Sequence, residues 1–145
     1  SFCFEFKRRV EFSDTDMAGI MHFSNFYKFM ESTEHAFFRS LGHGVHETFE
    51  GWDIGWPRVH ASCDFFRPVR FEDEVTIRLS IEEVRRRSVR YAHQFYLDLE
   101  KKPVAIGRIT TACVRLIKEA GKIESVAIPP TLREKLETAA KQESP

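Results

Sequence analysis

Residues 12–41 read FSDTDMAGIMHFSNFYKFMESTEHAFFRSL, a short polar connector followed by apolar residues that recur three, four or seven positions apart. This spacing gives an α-helix one broad apolar face, so we expect a long buried helix from about Phe23 to Leu41. Ser24 is the predicted N-cap, because its hydroxyl can accept a hydrogen bond from an early helical N–H group. Gly42 follows the last apolar position and is predicted to end the helix.

The rest of the chain has the patterns of strands. Before the helix, apolar residues at alternate positions from Phe2 to Phe12 predict a strand with one buried face. Residues 43–57 are predicted to form a loop. A short charged helix is predicted to follow two prolines near the end of the chain, at Thr131–Lys141. Between them, four strands are predicted at Arg58–Phe66, Val75–Ile81, Val89–Leu99 and Val104–Lys118, the last with a bulge or bend near Ile109–Val114.

One long helix against one antiparallel sheet of about five to six strands is an α+β architecture. The chain has 145 residues and no repeat, linker or low-complexity segment, so we expect a single domain over residues 1–145. A lone sheet leaves its edges open. Pairing with a second copy of the chain is therefore expected.

Composition argues against several function classes. The chain has 22 basic and 22 acidic residues, and this balance argues against a nucleic-acid partner, which needs a basic surface. No apolar run approaches the roughly 18 residues that span a bilayer, and no charged-then-apolar leader opens the chain. We therefore expect no membrane association and a cytoplasmic location.

Neither a metal nor another cofactor is expected from the side chains available. The three cysteines are far apart and form no C-x-x-C pair, so neither a disulfide scaffold nor a zinc site is indicated. His43 and His46 lack a third histidine or a cysteine nearby, which makes a surface loop the better interpretation. Motifs of zinc proteases, serine hydrolases and nucleotide-binding loops do not occur.

The connector places carboxylates beside the start of the helix. The first N–H groups of a helix have no partners within it and carry the positive end of its dipole. They can stabilise an oxyanion while Asp16 acts as a nucleophile or a general base; alternatively, Asp16 only shapes a turn. Asp14 is predicted to bond to connector N–H groups, and Asn25 to cap the helix or orient Asp16. Gly19 is predicted to allow an unusual backbone conformation or the close approach of a ligand.

Arginines are dense at one place only, residues 85–87 with Arg90. Arginine forks suit phosphate groups, and strand alternation would put Arg85 and Arg87 on one face. The alternative is a solvated hairpin whose charge is balanced by Glu82 and Glu83.

The connector motif Asp-Thr-Asp-Met-Ala-Gly-Ile, the aromatic helix start Phe23-Ser24-Asn25-Phe26 and the four strands that follow resemble the hotdog-fold thioesterases. The similarity is greatest to the 4-hydroxybenzoyl-CoA thioesterase and YbgC-like acyl-CoA thioesterase group, and it runs from about Arg9 to Leu136. The resemblance implies a hotdog fold and metal-free hydrolysis of an acyl-CoA. It also implies a homodimer with sites at the subunit interface, often paired further into a homotetramer.

The resemblance also implies roles for individual residues. Asp16 matches the catalytic carboxylate, and the Phe23 N–H matches the group that polarises the thioester carbonyl. Many YbgC-like members have a Tyr-His pair where this chain has His22-Phe23, so a catalytic role for His22 would require it to act from the neighbouring position. Glu31 matches a carboxylate that meets a phenolic hydroxyl in the hydroxybenzoyl-type enzyme, although a helix glutamate is more often structural. Residues matching Arg85 and Arg87 contact coenzyme A.

The sequence therefore predicts an acyl-CoA thioesterase for an aromatic or short-to-medium-chain acyl group. Aromatic residues are the candidates for the walls of the acyl pocket: Phe23, Phe26, Trp52 and Trp56, together with His22. Two alternatives remain open, an acyl-ACP thioesterase and a non-catalytic hotdog domain that binds acyl-CoA.

Overall fold

The computed structural model describes residues 2–49, 51–97 and 101–142. Two α-helices and nine strands occur in these residues. The helices are α1 (Ser24–Ser40) and α2 (Pro130–Ala140), close to the predicted bounds. The strands are β1 (Phe4–Arg9), β2 (Glu47–Phe49), β3 (Trp52–Gly55), β4 (Arg58–Phe65), β5 (Glu74–Val84), β6 (Ser88–Leu97), β7 (Ala105–Ala112), β8 (Val114–Ile117) and β9 (Lys122–Ser125).

The main sheet has five antiparallel strands in the order β1-β5-β6-β7-β4. This sheet and α1 confirm the predicted α+β architecture. Its longest strand, β5, has 11 residues and is therefore about 35 Å long. One end of the sheet carries the start of β5 and the end of β4; we call it the Asp16 end, because the connector lies there. The opposite end, where β4 begins and β5 ends, is called the Arg58 end.

A second, four-stranded sheet in the order β2-β3-β8-β9 was not predicted. The prediction of a loop over residues 43–57 is wrong for β2 and β3, whose strands are too short to show alternation. The single strand predicted over Val104–Lys118 divides at Cys113 into β7 and β8, which belong to different sheets. The predicted bend near Ile109–Val114 is the position of this division. Residues 98–100, the end of the predicted third strand, lie outside the described residues.

The core lies between α1 and the main sheet. Phe29, Met30, Phe37 and Phe38 on α1 are almost completely buried, and burial of each such side chain contributes about 1.5–3 kcal/mol. Gly107 on β7 lets the helix approach closely, since a Cβ at this position would overlap the sulfur of Met30. The helix thus covers the middle of the sheet.

The start of α1 differs from the prediction. The N-cap position is Phe23, which already has helical dihedrals (φ −54°, ψ −33°) and makes no side-chain cap, so the prediction of Ser24 as N-cap is wrong. The His22 ring takes the place of a side-chain cap: its Nδ1 accepts a hydrogen bond from the Ser24 N–H (3.3 Å). At the other end the chain turns at Gly42 with φ +83°, as predicted.

Strand β4 forms one edge of the main sheet, and helix α1 leaves most of its residues exposed. Val59 keeps 64% of its surface exposed and Phe65 keeps 45%. Ala61 lies between them and is also exposed. Neither helix of the described residues has the length and hydrophobicity needed to span a membrane.

Candidate active site

The connector is fixed to the start of α1 by buried polar contacts. A 3₁₀ turn at Phe12–Asp14 follows β1, and the carboxylate of Asp14 accepts a hydrogen bond from the Glu11 N–H (2.8 Å). Asn25, buried at 7% exposure, donates from its side chain to the Asp14 carbonyl oxygen (2.7 Å). The Asn25 side chain therefore joins the connector to the helix. Among the described residues it neither caps the helix nor forms a hydrogen bond with Asp16. The donor to the Asp14 carboxylate is thus the N–H of Glu11, which precedes the connector, and not a connector N–H group as predicted.

Asp16 begins a tight turn. Its backbone carbonyl accepts from the Gly19 N–H (3.0 Å), and its carboxylate Oδ1 accepts from the Ala18 N–H (2.9 Å). Gly19 closes the turn with φ +79°, a conformation that favours glycine, and no atom lies within 4 Å of the position a Cβ would occupy. Within the described residues, no group donates to the second carboxylate oxygen. One oxygen of Asp16 is thus oriented while the other is available to a ligand.

The backbone N–H of Phe23 has no acceptor among the described residues, unlike those of its neighbours. His22 donates from its backbone to the Asp14 carbonyl (2.9 Å), and Asn25 donates to the His22 carbonyl (2.9 Å). An unpaired N–H at the positive end of a 17-residue helix is suited to stabilise a developing negative charge.

Asp16 and Phe23 line the same cavity, of about 570 Å³. The walls are mostly apolar, and half-exposed aromatic rings stand at its mouth. Phe26 forms the buried side, with its ring 5.0 Å from that of Phe65. The wall residues used below are Ile20, Met21, Phe23, Phe26, Phe65 and Phe66.

Sequence reasoning identified Phe23 and Phe26 in this cavity but missed Phe65 and Phe66. Phe65 is the last residue of β4 and Phe66 follows it, and both precede the Arg67-Pro68 turn. The sequence did offer a signal for them. Two adjacent apolar residues end the predicted strand, and because side chains alternate along a strand, one of the two must face outward.

The other predicted site residues lie elsewhere in the chain. His22 is exposed, outside the Asp16 cavity, with its Nδ1 2.8 Å from the Ser24 hydroxyl oxygen. Trp56 is buried in the core against Phe38, with ring centroids 5.6 Å apart. Trp52 lies on the small sheet beneath the guanidinium of Arg115.

The arginine run forms the turn between β5 and β6. The prediction that alternation places Arg85 and Arg87 on one face is therefore wrong, since alternation holds only within a strand. Arg85 pairs with Glu83, as does Arg90 (3.0 Å). In the described residues neither Arg86 nor Arg87 has a carboxylate partner, so the acidic neighbours balance only part of the run.

Within one chain the candidate residues form two separate sets. Asp16, Phe23 and Phe26 lie at the Asp16 end. Arg85 and Arg87 lie at the Arg58 end, about 35 Å away along β5. Glu31, two turns into α1, belongs to the second set, because its carboxylate is 3.8 Å from the guanidinium of Arg58.

Comparison with known proteins places this arrangement in a family. The model of the thioesterase-like superfamily matches residues 10–136. A 1,4-dihydroxy-2-naphthoyl-CoA hydrolase of Synechococcus is 31% identical over 109 residues, 70% of each chain. The solved structure of a gentisyl-coenzyme A thioesterase is 30% identical with a TM-score of 0.76, covering 91% of this chain and 98% of that one.

A 1,4-dihydroxy-2-naphthoyl-CoA thioesterase from Synechocystis is 22% identical with a TM-score of 0.79, over 94% of both chains, and this likeness concerns the fold alone. The match of the family model covers most of the chain. This chain has the hotdog fold and belongs to the thioesterase-like superfamily.

Proposed function

We propose that this protein is an acyl-CoA thioesterase that hydrolyses aromatic acyl-CoA to the free acid and coenzyme A. One observation carries the proposal: Asp16, with a free carboxylate oxygen, and Phe23, with an unpaired N–H, line one apolar cavity. The relatives named above, which act on dihydroxynaphthoyl-CoA and gentisyl-CoA by their names, support an aromatic acyl group.

In the proposed reaction the thioester carbonyl oxygen accepts a hydrogen bond from the Phe23 N–H. Asp16 either attacks the carbonyl carbon, forming an anhydride that water opens, or removes a proton from an attacking water. In both routes the C–S bond breaks, the acyl carbon gains a water oxygen, and the thiolate of coenzyme A takes up a proton. The Phe23 N–H stabilises the oxyanion formed on the way.

The acyl group fits against Phe26 and the half-exposed rings of Phe65 and Phe66. Aromatic walls favour a flat acyl group, because ring contacts add about 0.5–1.5 kcal/mol per pair to the apolar burial. Gly19 leaves open space beside the turn of Asp16. His22, at the surface beside the cavity, is proposed only to hold the start of α1.

The substrate's phosphates need a second copy of the chain. We infer a homodimer in which β4 pairs edge to edge with β4 of the other copy, because antiparallel pairing sets the Asp16 end of one beside the Arg58 end of the other. Arg85 and Arg87 of one copy then reach the phosphates of coenzyme A bound at the other. Pairing of two dimers into a tetramer remains a further proposal.

The test is release of free thiol from benzoyl-CoA, 4-hydroxybenzoyl-CoA, butyryl-CoA and palmitoyl-CoA. We expect the aromatic substrates to have the highest kcat/KM. Asp16→Asn should lower kcat by about a thousandfold or more while leaving the unfolding midpoint within 2 °C, since it removes the nucleophile or base and little packing. The matched control is Glu119→Gln, which changes an exposed carboxylate between β8 and β9, outside both the cavity and β4.

Equal activity of Asp16→Asn and the wild type would reject the assignment. Stoichiometric acyl-CoA binding by the wild type with no thiol release would show a binding domain instead of an enzyme. Faster cleavage of an acyl-ACP than of the matching acyl-CoA would identify the carrier protein as the substrate.

A further inference from the structure

Three polar side chains form a row away from the Asp16 cavity, where the loop after α1 meets α2. Glu47 Oε1 lies 2.7 Å from Nδ1 of His43, and His43 Nε2 lies 3.1 Å from Nζ of Lys135. An ionised carboxylate only accepts hydrogen bonds, so His43 carries its proton on Nδ1 and turns an unprotonated Nε2 toward Lys135. The row therefore reads carboxylate, imidazole, amine.

The imidazole in the middle of this row is fixed in place. Glu47 is itself oriented by the Gly44 N–H, which donates to Oε2 (2.7 Å), and the His43 ring stacks on Phe49 with centroids 5.6 Å apart. Burial opposes ionisation of Glu47, but the hydrogen bonds from Gly44 and His43 outweigh it and lower the pKa of the carboxyl. An ionised carboxylate at Nδ1 stabilises the imidazolium that forms when His43 takes up a proton.

Lys135 has two hydrogen-bond acceptors and neither of them is a carboxylate. Besides His43, its Nζ meets the carbonyl oxygen of Leu41 (2.9 Å), the C-cap residue of α1. A neutral amine has two N–H groups and one lone pair, so these two acceptors engage both N–H groups and leave the lone pair free. An amine with a base at hydrogen-bond distance, and an orienting group behind the base, has the arrangement of an activated nucleophile.

Lys135 also lines a cavity of about 510 Å³ between α2, the end of α1 and the start of the chain. The apolar part of the wall consists of Cys3, Phe37, Leu41 and Ala139. This cavity shares no residue with the Asp16 cavity. Its volume lies in the range of small-molecule sites, about 300–1,000 Å³, so an acyl group can lie beside the amine.

The thiol in the same wall is a poor competitor for an electrophile. Burial raises the pKa of Cys3 to about 11, and its Sγ donates to the Leu79 carbonyl oxygen (3.5 Å). A thiol reacts through its thiolate, which is scarce at neutral pH when the pKa is this high. An electrophile in this cavity therefore meets the amine of Lys135 as its reaction partner.

We propose that Lys135 is a site of covalent acylation by acyl thioesters such as acyl-CoA, with His43 as the general base and Glu47 as the group that orients it. Thioesters are acyl donors that amines attack without further activation. The modification goes beyond the proposed hydrolysis and does not depend on it, because it takes place in a separate cavity.

The reaction begins when the ammonium of Lys135 loses a proton to water. The amine attacks the thioester carbonyl carbon, a C–N bond forms and the C–S bond breaks. His43 takes the proton that the attacking nitrogen loses and passes it to the departing thiolate. The products are free coenzyme A and an uncharged amide, whose one N–H remains for the carbonyl oxygen of Leu41.

The first experiment measures the rate of benzoylation of every lysine by benzoyl-CoA, using peptide mass spectrometry. The protein carries Asp16→Asn, so that the proposed hydrolysis does not consume the reagent. Lys28 and Lys122 are exposed and serve as internal references, whereas Lys135 is only partly exposed. Exposure alone would make Lys135 the slower residue. We expect it to react at least about tenfold faster than the references, because a positioned base contributes about 10²–10⁴-fold.

Two variants test the base and the group that orients it. In His43→Gln an amide oxygen can still accept from Lys135 but takes up no proton, so benzoylation of Lys135 should fall to the rate of the reference lysines. Glu47→Gln keeps an acceptor for the Gly44 N–H and should slow the reaction about fivefold, since the imidazolium loses its anionic partner. Glu119→Gln, at an exposed position outside this row, should leave all rates unchanged.

A third variant tests the cavity. Thr138→Phe adds a ring to an exposed residue of its wall. We expect it to lower the ratio of benzoylation to acetylation at Lys135, with acetyl-CoA as the smaller donor, by about fivefold. The same ratio at Lys28 should not change. An unchanged ratio at Lys135 would show that the acyl group does not lie in this cavity, and would overturn that part of the proposal.

The outcomes keep this inference apart from the proposed function. Benzoylation of Lys135 no faster than that of Lys28 and Lys122, or no slower in His43→Gln, would overturn it, while thiol release by the wild type would still support the thioesterase. If His43→Gln does not fold, Glu47→Gln decides in the same way. Fast benzoylation of Lys135 together with no catalytic thiol release by the wild type would support this inference and reject the proposed function.

Discussion

The two ends of the main sheet expose different kinds of side chain. At the Asp16 end the exposed groups include large apolar side chains, among them Phe23 at 59% and Phe66 at 56%, beside a carboxylate and a free N–H. At the Arg58 end they are mainly charged, with Arg58, Glu31 and the turn at residues 85–87. The candidate reacting groups and an apolar cavity lie at one end, and the arginines proposed to bind phosphate lie at the other.

Under the proposed function, the single chain would hold only half of the groups that one active site needs. In one chain, the groups proposed for the acyl group and the reacting carbonyl share one cavity, and the arginines proposed for the carrier phosphates lie about 35 Å away. Edge-to-edge pairing of β4 brings complementary ends together.

The strongest test is a variant that blocks the pairing of β4 with β4 of a second copy. Ala61→Lys places a charge in the middle of the exposed inner face of β4, and inward-pointing lysines are known to prevent strand pairing. We expect a monomer by light scattering and a loss of about a thousandfold in kcat/KM, because each site would lack its second half. Ile106→Lys, on the outer face of the adjacent strand, is the control. A fully active Ala61→Lys monomer would show that one chain suffices.

The next test concerns the buried anchor of the Arg58 end. Glu34→Ala leaves Arg58 and His93 without their shared carboxylate, so the free energy of unfolding should fall by about 3 kcal/mol in urea titrations. Glu31→Ala, at an exposed position of the same helix, should change it by less than about 0.5 kcal/mol. Similar values for the two variants would mean that the buried contacts contribute little.

Charge reversal at the arginine turn should separate binding from chemistry. Arg87→Glu is expected to raise KM for acyl-CoA about tenfold while kcat stays within twofold, since Arg87 would contact the carrier phosphates and not the carbonyl. Arg108→Glu serves as the control because Arg108 lies on the outer sheet face. A normal KM for Arg87→Glu would rule out the phosphate site.

The smallest effect is expected in the turn of the Asp16 end. Gly19 has φ +79°, and an alanine in this conformation costs about 1 kcal/mol. Gly19→Ala should therefore lower the unfolding free energy by that amount. Gly44→Ala is the control, because Gly44 does not have a positive φ. Equal stability of Gly19→Ala and the wild type would mean that the turn adjusts without cost.

Much of the fold is readable from local pattern. Helix α1 and the five strands of the main sheet follow from apolar spacing, because each is long enough to show its period. The small sheet escaped prediction since β2, β3, β8 and β9 have only three or four residues each. The N-cap was also predicted wrongly. Ser24 does not cap the helix with its hydroxyl; its N–H donates to the His22 ring instead.

For the candidate site, Asp16, Phe23 and Phe26 were found from the connector and the resemblance. Phe65, Phe66 and Arg58 were not, since they are ordinary strand residues until the sheet order is known. Arg58 contacts Glu34 across 24 residues, and His93 lies still further along the chain.

Local sequence patterns were sufficient to predict the class of fold and the candidate carboxylate, Asp16, because periodicity and a short connector act over a few neighbouring residues. Only the tertiary structure decided which ends of the strands meet, that β4 is an open edge, and that a buried carboxylate anchors Arg58. These features depend on the order β1-β5-β6-β7-β4, which is set by packing between residues far apart in the chain.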